Sequence, residues 1–268
     1  MVRKVLMKFY LGLVLLFMYL PIIVLIVFSF NESKSRGNWT GFTLKWYKQL
    51  FESSQIMDSL YNTLIIALLS SVIAVIIGTF AAIGIHNMKK LKKTIVMNLT
   101  YLPVLNPDIV TGVSLMMLFV FIGMLTNLQL GFFTMLLAHI TFNIPYVILS
   151  VLPKLKQMNK HMYEAALDLG ATSFYALRKV ILPEIMPGII SGFLMALTLS
   201  IDDFVISYFT TGSGFSNLSI TIYSMARTGV KPTINALSTL LFGAVLLMLF
   251  IINVRSSREE KRNKQFNV

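Results

Sequence analysis

The chain has 268 residues, of which 56% are hydrophobic, and a mean hydropathy of +0.76. This composition is far more apolar than that of soluble proteins, so it excludes a disordered chain and indicates a polytopic membrane protein. The chain contains no cysteine and only three histidines, so disulfides and thiolate metal sites are excluded and no metal site is predicted. The formal net charge is +12, and the basic residues lie between the apolar runs.

Six apolar runs are long enough to cross a bilayer, which needs about 20 apolar residues per helix. The first run, Phe9 to Phe30, is uncharged, is too long for the core of a signal peptide and has no small-residue cleavage site after it, so we predict a retained span. We therefore predict an all-α polytopic membrane protein with six transmembrane helices in a single domain covering residues 1–268. The spans are predicted at about 9–30, 60–85, 97–121, 130–152, 187–208 and 233–254.

The lysines and arginines of the loops predict the orientation of the chain. If the N-terminus is cytoplasmic, 17 of the 23 basic residues lie on the cytoplasmic side. Because cytoplasmic loops of membrane proteins carry an excess of basic residues, both termini and the loop at about 154–183 are predicted to be cytoplasmic. The basic residues are then a topology signal and a contact for anionic membrane lipid, and no nucleic-acid surface is predicted.

Two external segments are longer than a simple turn requires. Leu44 to Phe51 combines apolar and aromatic residues with lysines, which predicts a helix lying at the membrane interface. Trp46 in this segment has two interpretations: a membrane-surface anchor, or an aromatic wall at the mouth of a pathway, where a cation would rest on its ring. The second segment, residues 212–232, is either a plain external loop or a surface that receives a substrate-delivering protein.

Three acidic residues fall within the predicted spans: Asp108, Asp202 and Asp203. An ionisable group is costly in a bilayer, so such residues usually face a cavity and mark a transport pathway. Counted from cytoplasmic starts near Thr94 and Gly188, Asp108 and Asp202 each lie fourteen residues into their span, which predicts a similar depth in the membrane. Pro103 and Pro107 interrupt the third span and free backbone carbonyls that can line a cavity.

Asp202 and Asp203 are adjacent, so on a helix they point about 100° apart and cannot both face the same neighbour. One is predicted to face the pore; the alternative is that one of the two caps a broken helix or pairs with a basic residue of a partner subunit. Either Ser200 or Thr198, which lies four residues before Asp202 on the same face, is predicted to add a hydroxyl acceptor. Because no lysine or arginine lies inside any predicted span, the pathway is predicted to select cations.

A charged segment at residues 154–183 interrupts the apolar runs. Asn159 can cap a first short helix and Gly170 can end it with a turn. Thr172 or Ser173 can cap a second short helix, which Pro183 is predicted to end. The result is a helical hairpin with the character of a docking surface.

The residue identities of this hairpin resemble the signature loop of ABC-type import permeases: Glu-Ala-Ala, three residues, Gly, nine residues, then an aliphatic residue, any residue and Leu-Pro. The chain has Val180 where isoleucine is usual, which is a conservative departure. Residues 106–110, 200–204 and 223–227 resemble the permeases of spermidine/putrescine ABC importers, and the resemblance covers almost the whole chain. In that family the loop is the coupling helix that docks on the ATPase, which here assigns coupling to Glu164, Ala165, Ala166, Asp168, Gly170, Leu182 and Pro183.

The resemblance implies the type I ABC importer permease fold and the function of a permease subunit that translocates polyamines across the cytoplasmic (inner) membrane of a bacterium. It also implies three partners: a dimer of ABC ATPase subunits, a second homologous permease and an extracytoplasmic polyamine-binding protein. The chain has no Gly-x-x-x-x-Gly-Lys-Ser/Thr loop, so neither a cofactor nor a catalytic residue is predicted in it, and ATP and Mg would be used by the partner ATPase. Two alternatives stay open: an ABC permease for another small solute, and a proton-coupled secondary transporter whose aspartates relay protons. The histidines lie in different predicted elements, so a membrane enzyme is not predicted.

Overall fold

The structure is a computed structural model, and all the regular elements that it describes are helices, apart from one isolated bridge between Asn31 and Phe42. The described residues are 2–33, 38–159, 161–229, 231–243 and 246. The prediction of an all-α chain is therefore confirmed over these ranges. The helices in chain order are α1 (Val2–Ser29), α2 (Lys45–Glu52), α3 (Ser54–His86), α4 (Lys90–Leu105), α5 (Asp108–Thr126), α6 (Phe132–Gln157), α7 (His161–Asp168), α8 (Ser173–Ala176), α9 (Leu182–Asp202), α10 (Val205–Thr210) and α11 (Leu218–Thr228).

Within the described part of the chain, five helices are long and apolar enough to cross a membrane. Residues 232–243 are also helical, and the rest of the predicted sixth span, to residue 254, lies outside the described residues apart from residue 246. Five of the predicted spans therefore correspond to candidate membrane helices, while the sixth stays a prediction. The five segments are Leu6–Ser29, Ser54–His86, Asp108–Thr126, Phe132–Gln157 and Ser173–Asp202.

The predicted third and fifth spans each contain a break. The interruption predicted in the third span is confirmed at Pro107, whereas Pro103 lies inside α4. The fifth span is not one continuous helix to residue 208. The predicted span at 97–121 combines the end of α4 with the start of α5. Pro107 has no backbone N–H and disfavours a helical conformation at Asn106, which is extended with φ −75° and ψ 144°. In the predicted span at 187–208, α9 ends at Asp202 and α10 begins only at Val205.

The contacts within the chain define two compact units, Met1–Met57 with Ile222–Val268, and Asp58–Thr221. In the second unit α6 is the central helix, and α3 and α9 pack against it through Val147, Val151 and Ile185. Small residues allow α9 to approach α6 closely. A side chain at Gly192 would have its Cβ atom 3.3 Å from the Cα atom of Val147. Such crossings at small residues are typical of helices packed in a membrane. The prediction of one domain for the whole chain stays a prediction.

Candidate functional site

The segment between α6 and α9 folds into the predicted hairpin. Asn159 begins α7, because its Oδ1 accepts a hydrogen bond of 3.0 Å from the backbone N–H of His161. Gly170 ends α7 in the left-handed region, at φ +83°, which favours glycine. Thr172 then caps α8 by accepting a bond of 3.3 Å from the N–H of Tyr175. Both predicted caps and the glycine turn are confirmed.

The prediction that Pro183 ends the second helix of the hairpin is wrong. A single π turn, Leu177–Ile181, joins α8 to α9, so one helix of 30 residues runs over Ser173–Asp202. In this turn the N–H of Leu182 donates to the carbonyl of Leu177, five residues earlier. The ring of a proline clashes with the carbonyl four residues before it in a regular α-helix, and the wider π turn is where Pro183 is accommodated. The second arm of the hairpin is therefore continuous with the helix that ends at Asp202.

The tip of the hairpin presents apolar side chains to solvent. Leu169 is 89% exposed and Phe174 is 71% exposed. Beside them lies an open notch of about 480 Å³, and a Cβ at Gly170 would meet nothing within 4 Å. An exposed apolar patch of this kind marks an interaction surface. The notch is lined by Ala166, Leu169, Gly170, Ala171, Thr172 and Tyr175.

Of the other residues of the predicted coupling set, Ala165 and Asp168 lie in α7, next to the tip, and Leu182 and Pro183 begin α9, where Leu182 packs against the core. Ala165 and Asp168 are exposed, as is Pro183, and Leu182 is half-buried. Glu164 lies 3.2 Å from His161 through Oε2 and Nδ1, and because both side chains are largely exposed this pair contributes little to stability. Glu164 is therefore accessible to a partner.

The two exposed intramembrane acids each lie at a helix break. Asp108 is the first residue of α5, directly after the break at Pro107, and Asp202 is the last residue of α9. Both are exposed. The last turn of α9 leaves backbone carbonyls without helical partners, so Asp202 lies at a helix end that carries partial negative charge and favours a cation. Asp108 instead lies in the first turn of α5, where the free backbone N–H groups favour its ionised carboxylate.

The two breaks lie at similar depth because α5 and α10 pack in the same direction. The helix α6 runs antiparallel to α9 and α10, because Gly188 lies against Val151, Ser200 against Asn143 and Ser207 against His139. A short connection joins α5 to α6, which is typical of antiparallel neighbours. Gly112 of α5 packs against Val205 and Ile206 of α10. Asp108 precedes Gly112 by one helical turn, and Asp202 precedes Ile206 by four residues that include the break. The contact of Gly112 with Ile206 therefore brings the two breaks near each other, which supports the predicted similarity of depth.

Tyr146 of α6 is a further residue of this region that sequence reasoning missed. Its hydroxyl is within electrostatic range of Asp108. The ring is tilted against Phe142, with the two ring centroids 5.2 Å apart, and it is half-buried. The only signal in the sequence was an aromatic residue in an apolar run, which a simple packing role explains equally well.

Asp203 is directed away from the open side of the break. Its side chain is 7% exposed. The Oδ1 atom accepts from the N–H of Ile206 at 3.2 Å, and Oδ2 accepts from the N–H of Ser207 at 2.7 Å. Asp203 therefore caps α10, which is the alternative that the sequence left open for one of the two aspartates, and Asp202 is the member of the pair that is exposed.

Ser200 lies in the packing between helices. It is 1% exposed, its hydroxyl accepts a bond of 2.8 Å from the amide of Asn143, and it lies 3.1 Å from the hydroxyl of Ser70. These contacts tie α3, α6 and α9 together. The predicted contact of Ser200 with substrate stays a prediction, and these contacts do not favour it.

Trp46, in the other unit, is enclosed by its own neighbours. It lies in α2, which confirms the helix predicted at residues 44–51. The ring is 3% exposed, and its Nε1–H donates to the carbonyl of Asn31 at 2.7 Å. The Nζ atom of Lys45 lies 5.8 Å from the ring centroid. This environment favours a packing role over an open aromatic wall, and the predicted substrate contact remains untested.

We expect Trp46→Phe to lower the thermal unfolding midpoint of the purified protein. The substitution leaves the buried carbonyl of Asn31 without its donor, which costs about 1–3 kcal/mol. Trp39→Phe is the matched control, since Trp39 is 53% exposed, and it should leave the midpoint unchanged. An unchanged midpoint for Trp46→Phe together with a changed KM for uptake would instead support the substrate-wall interpretation.

The comparisons with known proteins show the family of the chain. Residues 74–258 match the family described as "Binding-protein-dependent transport system inner membrane component". The chain belongs to this family of inner-membrane permease components.

The relatives extend this assignment to a narrower group. The chain is 40% identical over 248 residues to the "Spermidine/putrescine transport system permease protein PotC" of Escherichia coli (strain K12), covering 92% of this chain and 90% of that protein. It is 38% identical over 250 residues to the "Putrescine transport system permease protein PotI" of the same strain, covering 92% and 89%. The resemblance to the spermidine/putrescine permeases is thereby confirmed.

A solved structure supports the fold alone. The crystal structure of a bacterial ABC transporter involved in the import of the acidic polysaccharide alginate aligns with a TM-score of 0.71 at 20% identity, covering 96% of each chain. The helices of this chain therefore follow the fold of an ABC importer permease.

Proposed function

We propose that this chain is the permease subunit of an ATP-driven importer that moves polyamines, spermidine or putrescine, across the cytoplasmic membrane. The observation that carries the proposal is the pair of exposed carboxylates, Asp108 and Asp202, at two neighbouring helix breaks. Polyamines carry several ammonium groups at neutral pH, and two separate acids suit a linear polycation. The helices α5, α9 and α10 contain no lysine or arginine that would neutralise these acids.

The fold alone does not choose the charge of the substrate. The alginate importer has the same fold, and its substrate is described as acidic. The choice of a cation therefore rests on the local acids and on the names of the relatives, which are spermidine/putrescine and putrescine permeases. These two lines of support are independent, because the first rests on the chemistry of the acidic side chains and the second rests on sequence similarity.

The partners of this chain are proposed from the family and from the hairpin. The family is named for its dependence on a binding protein, so we propose that an extracytoplasmic polyamine-binding protein delivers the substrate. We propose that a dimer of ABC ATPase subunits, which uses ATP and Mg, docks on the apolar tip at Leu169 and Phe174, with Glu164 at its edge. A second homologous permease completes the pathway, and membrane lipid surrounds both.

The topology completes the proposal. We propose one transmembrane domain of six spans, the sixth at about 233–254, with both termini and the hairpin on the cytoplasmic side. Closure of the ATPase dimer would then push the hairpin, and the continuous helix from Ser173 to Asp202 would carry that movement to the break beside the acids. This is the coupling of a packed two-state interface to a distant site.

Uptake by the reconstituted complex tests this function. The chain, its partner permease and the ATPase subunits are placed in proteoliposomes, and uptake of radiolabelled spermidine and putrescine is measured with the loaded binding protein outside. We expect the uptake to need ATP inside the vesicles. Unlabelled polyamines should suppress the uptake of the labelled polyamine, and amino acids and inorganic ions should not. Uptake by this chain without ATPase, driven by a proton gradient, would indicate a secondary transporter. Suppression by another solute alone would indicate a different substrate.

A further inference from the structure

A buried polar cluster lies on the inner side of the α9–α10 break. We define the break cluster as His139 of α6, Asp203 in the break, Ser207 of α10 and Asn217 just before α11. The His139 and Ser207 side chains meet at 3.0 Å through Nε2 and Oγ, and His139 Nε2 is 3.5 Å from Asp203 Oδ2. Asn217 donates to Ser207 Oγ at 2.8 Å. The hydroxyl of Ser207 thereby joins α6, α10 and the segment before α11, and Asp203 joins them through His139 and the backbone N–H of Ser207.

The members of the break cluster are deeply buried. His139 is 1% exposed, Ser207 is fully buried and Asn217 is 2% exposed. In hydrocarbon surroundings a polar group without a partner is costly, so such side chains are retained where they hold each other in place. The proposed function uses Asp202 and assigns nothing to His139, Ser207 or Asn217.

The hydrogen bonds of His139 define which ring nitrogen carries the proton. Nδ1 has no hydrogen-bond partner among the described residues. A proton on Nδ1 would be a buried donor without an acceptor, and it would turn the lone pair of Nε2 toward the carboxylate of Asp203. A proton on Nε2 instead points at the oxygens of Asp203 and Ser207. His139 therefore acts as a donor to the break through Nε2.

Asn217 connects the break cluster to a fixed support. Its Oδ1 accepts from the N–H of Ile220 at 3.0 Å, which caps α11. The next residue, Leu218, donates its N–H to the hydroxyl of Thr63 in α3 at 2.8 Å. The break is thus held on one side by α6. On the other side it is held by the first turn of α11, which is itself hydrogen-bonded to α3.

We propose that His139 and Asn217 are positioning residues for transport: they hold Asp203 and Ser207 in place, and so determine where the neighbouring Asp202 carboxylate points. Asp202 and Asp203 are consecutive residues, so a rotation of the break that releases one moves the other. This inference rests on the proposed function for its meaning in transport, but the geometry that it asserts is testable without transport.

A single introduced thiol reports the position of Asp202. The chain contains no cysteine, so Thr198→Cys creates a unique thiol, and Thr198 is exposed one turn before Asp202 on the same helix. The ratio of its reaction rates with a cationic and a neutral methanethiosulfonate reagent of similar size measures the local negative potential. The double variant with Thr198→Cys and Asp202→Asn gives the rate ratio in the absence of the Asp202 carboxylate. We expect the rate ratio of Thr198→Cys alone to be roughly threefold or more above that of the double variant at low salt.

Two substitutions of His139 distinguish the hydrogen bond of its Nε2 atom from the volume that its side chain fills. His139→Gln places an amide nitrogen where Nε2 stood, and His139→Asn places it where Nδ1 stood. We expect His139→Gln to keep the wild-type rate ratio and the wild-type KM for polyamine uptake. We expect His139→Asn to bring the ratio to the Asp202→Asn value and to raise KM about tenfold, equivalent to losing one well-placed charge contact, with little change in the maximal rate.

Ser207→Ala is the second variant, because it removes the shared hydroxyl without adding volume, and it should lower the rate ratio as His139→Asn does. Thermal unfolding in detergent is measured for each variant, so that a protein that fails to fold is recognised and replaced by the other variant. A wild-type rate ratio in folded His139→Asn and Ser207→Ala would overturn the positioning role. Failure of the wild-type complex to import polyamines would overturn the proposed function, and it would leave the rate-ratio result intact.

Discussion

Asp202→Asn is expected to lower polyamine uptake by about tenfold to a hundredfold, because it removes a charged contact worth about 1.5–3 kcal/mol and keeps the shape of the side chain. Asp108→Asn should have an effect of the same size, since Asp108 is exposed at the adjacent break. The measurement is initial uptake by the reconstituted complex at several polyamine concentrations, with the ATPase activity of the complex followed in parallel. The loss should appear mainly as a higher KM.

Two other aspartates serve as controls for this prediction. Asp58→Asn changes an exposed acid near the start of α3 and should leave uptake unchanged. Asp203→Asn differs from Asp202→Asn and Asp108→Asn in its effect on stability: it should lower the thermal unfolding midpoint, because a neutral amide replaces the carboxylate that accepts from two backbone N–H groups of α10. Wild-type uptake by both Asp202→Asn and Asp108→Asn would remove the cation pathway and return these residues to a structural role.

Gly170→Leu is expected to abolish uptake while the protein still reaches the membrane. The residue has φ +83°, where a residue with a side chain is strained by about 1–2 kcal/mol, and this strain alone does not unfold a domain. No atom lies within 4 Å of the Cβ position, so the leucine projects into the open notch. The loss should therefore come from blocked docking of the ATPase, which is measured by co-purification of the ATPase subunits and by uptake.

The matched control for this substitution is Gly214→Leu. Gly214 has φ +91° and also has nothing within 4 Å of its Cβ position, so its strain and its space are the same, but it lies in the segment between α10 and α11. We expect this variant to keep the ATPase subunits bound. Normal uptake by Gly170→Leu, or equal loss of the ATPase subunits from both variants, would contradict a specific docking role for the hairpin.

The hairpin was predictable in detail because its signals are local. Caps at Asn159 and Thr172 and a left-handed glycine at Gly170 act within one helical turn, and the structure contains all three. Pro183 was misread, because proline ends a regular α-helix but is compatible with the π turn that precedes it. The residues around the acids depend on contacts between distant segments, so neither the electrostatic interaction of Tyr146 with Asp108 nor the break cluster could be predicted.

The sequence by itself determined the class of protein, the apolar helices, the hairpin and the presence of three acids where acids are costly. These features depend on composition and on spacings within one helix, which a sequence displays directly. Only the tertiary structure decided the separate roles of the two adjacent aspartates: Asp203 turns inward to cap α10 beside His139, and Asp202 stays exposed. The physical reason is that a helix break has no periodicity, so the direction of each side chain there depends on the partners that α6 and α11 bring to it.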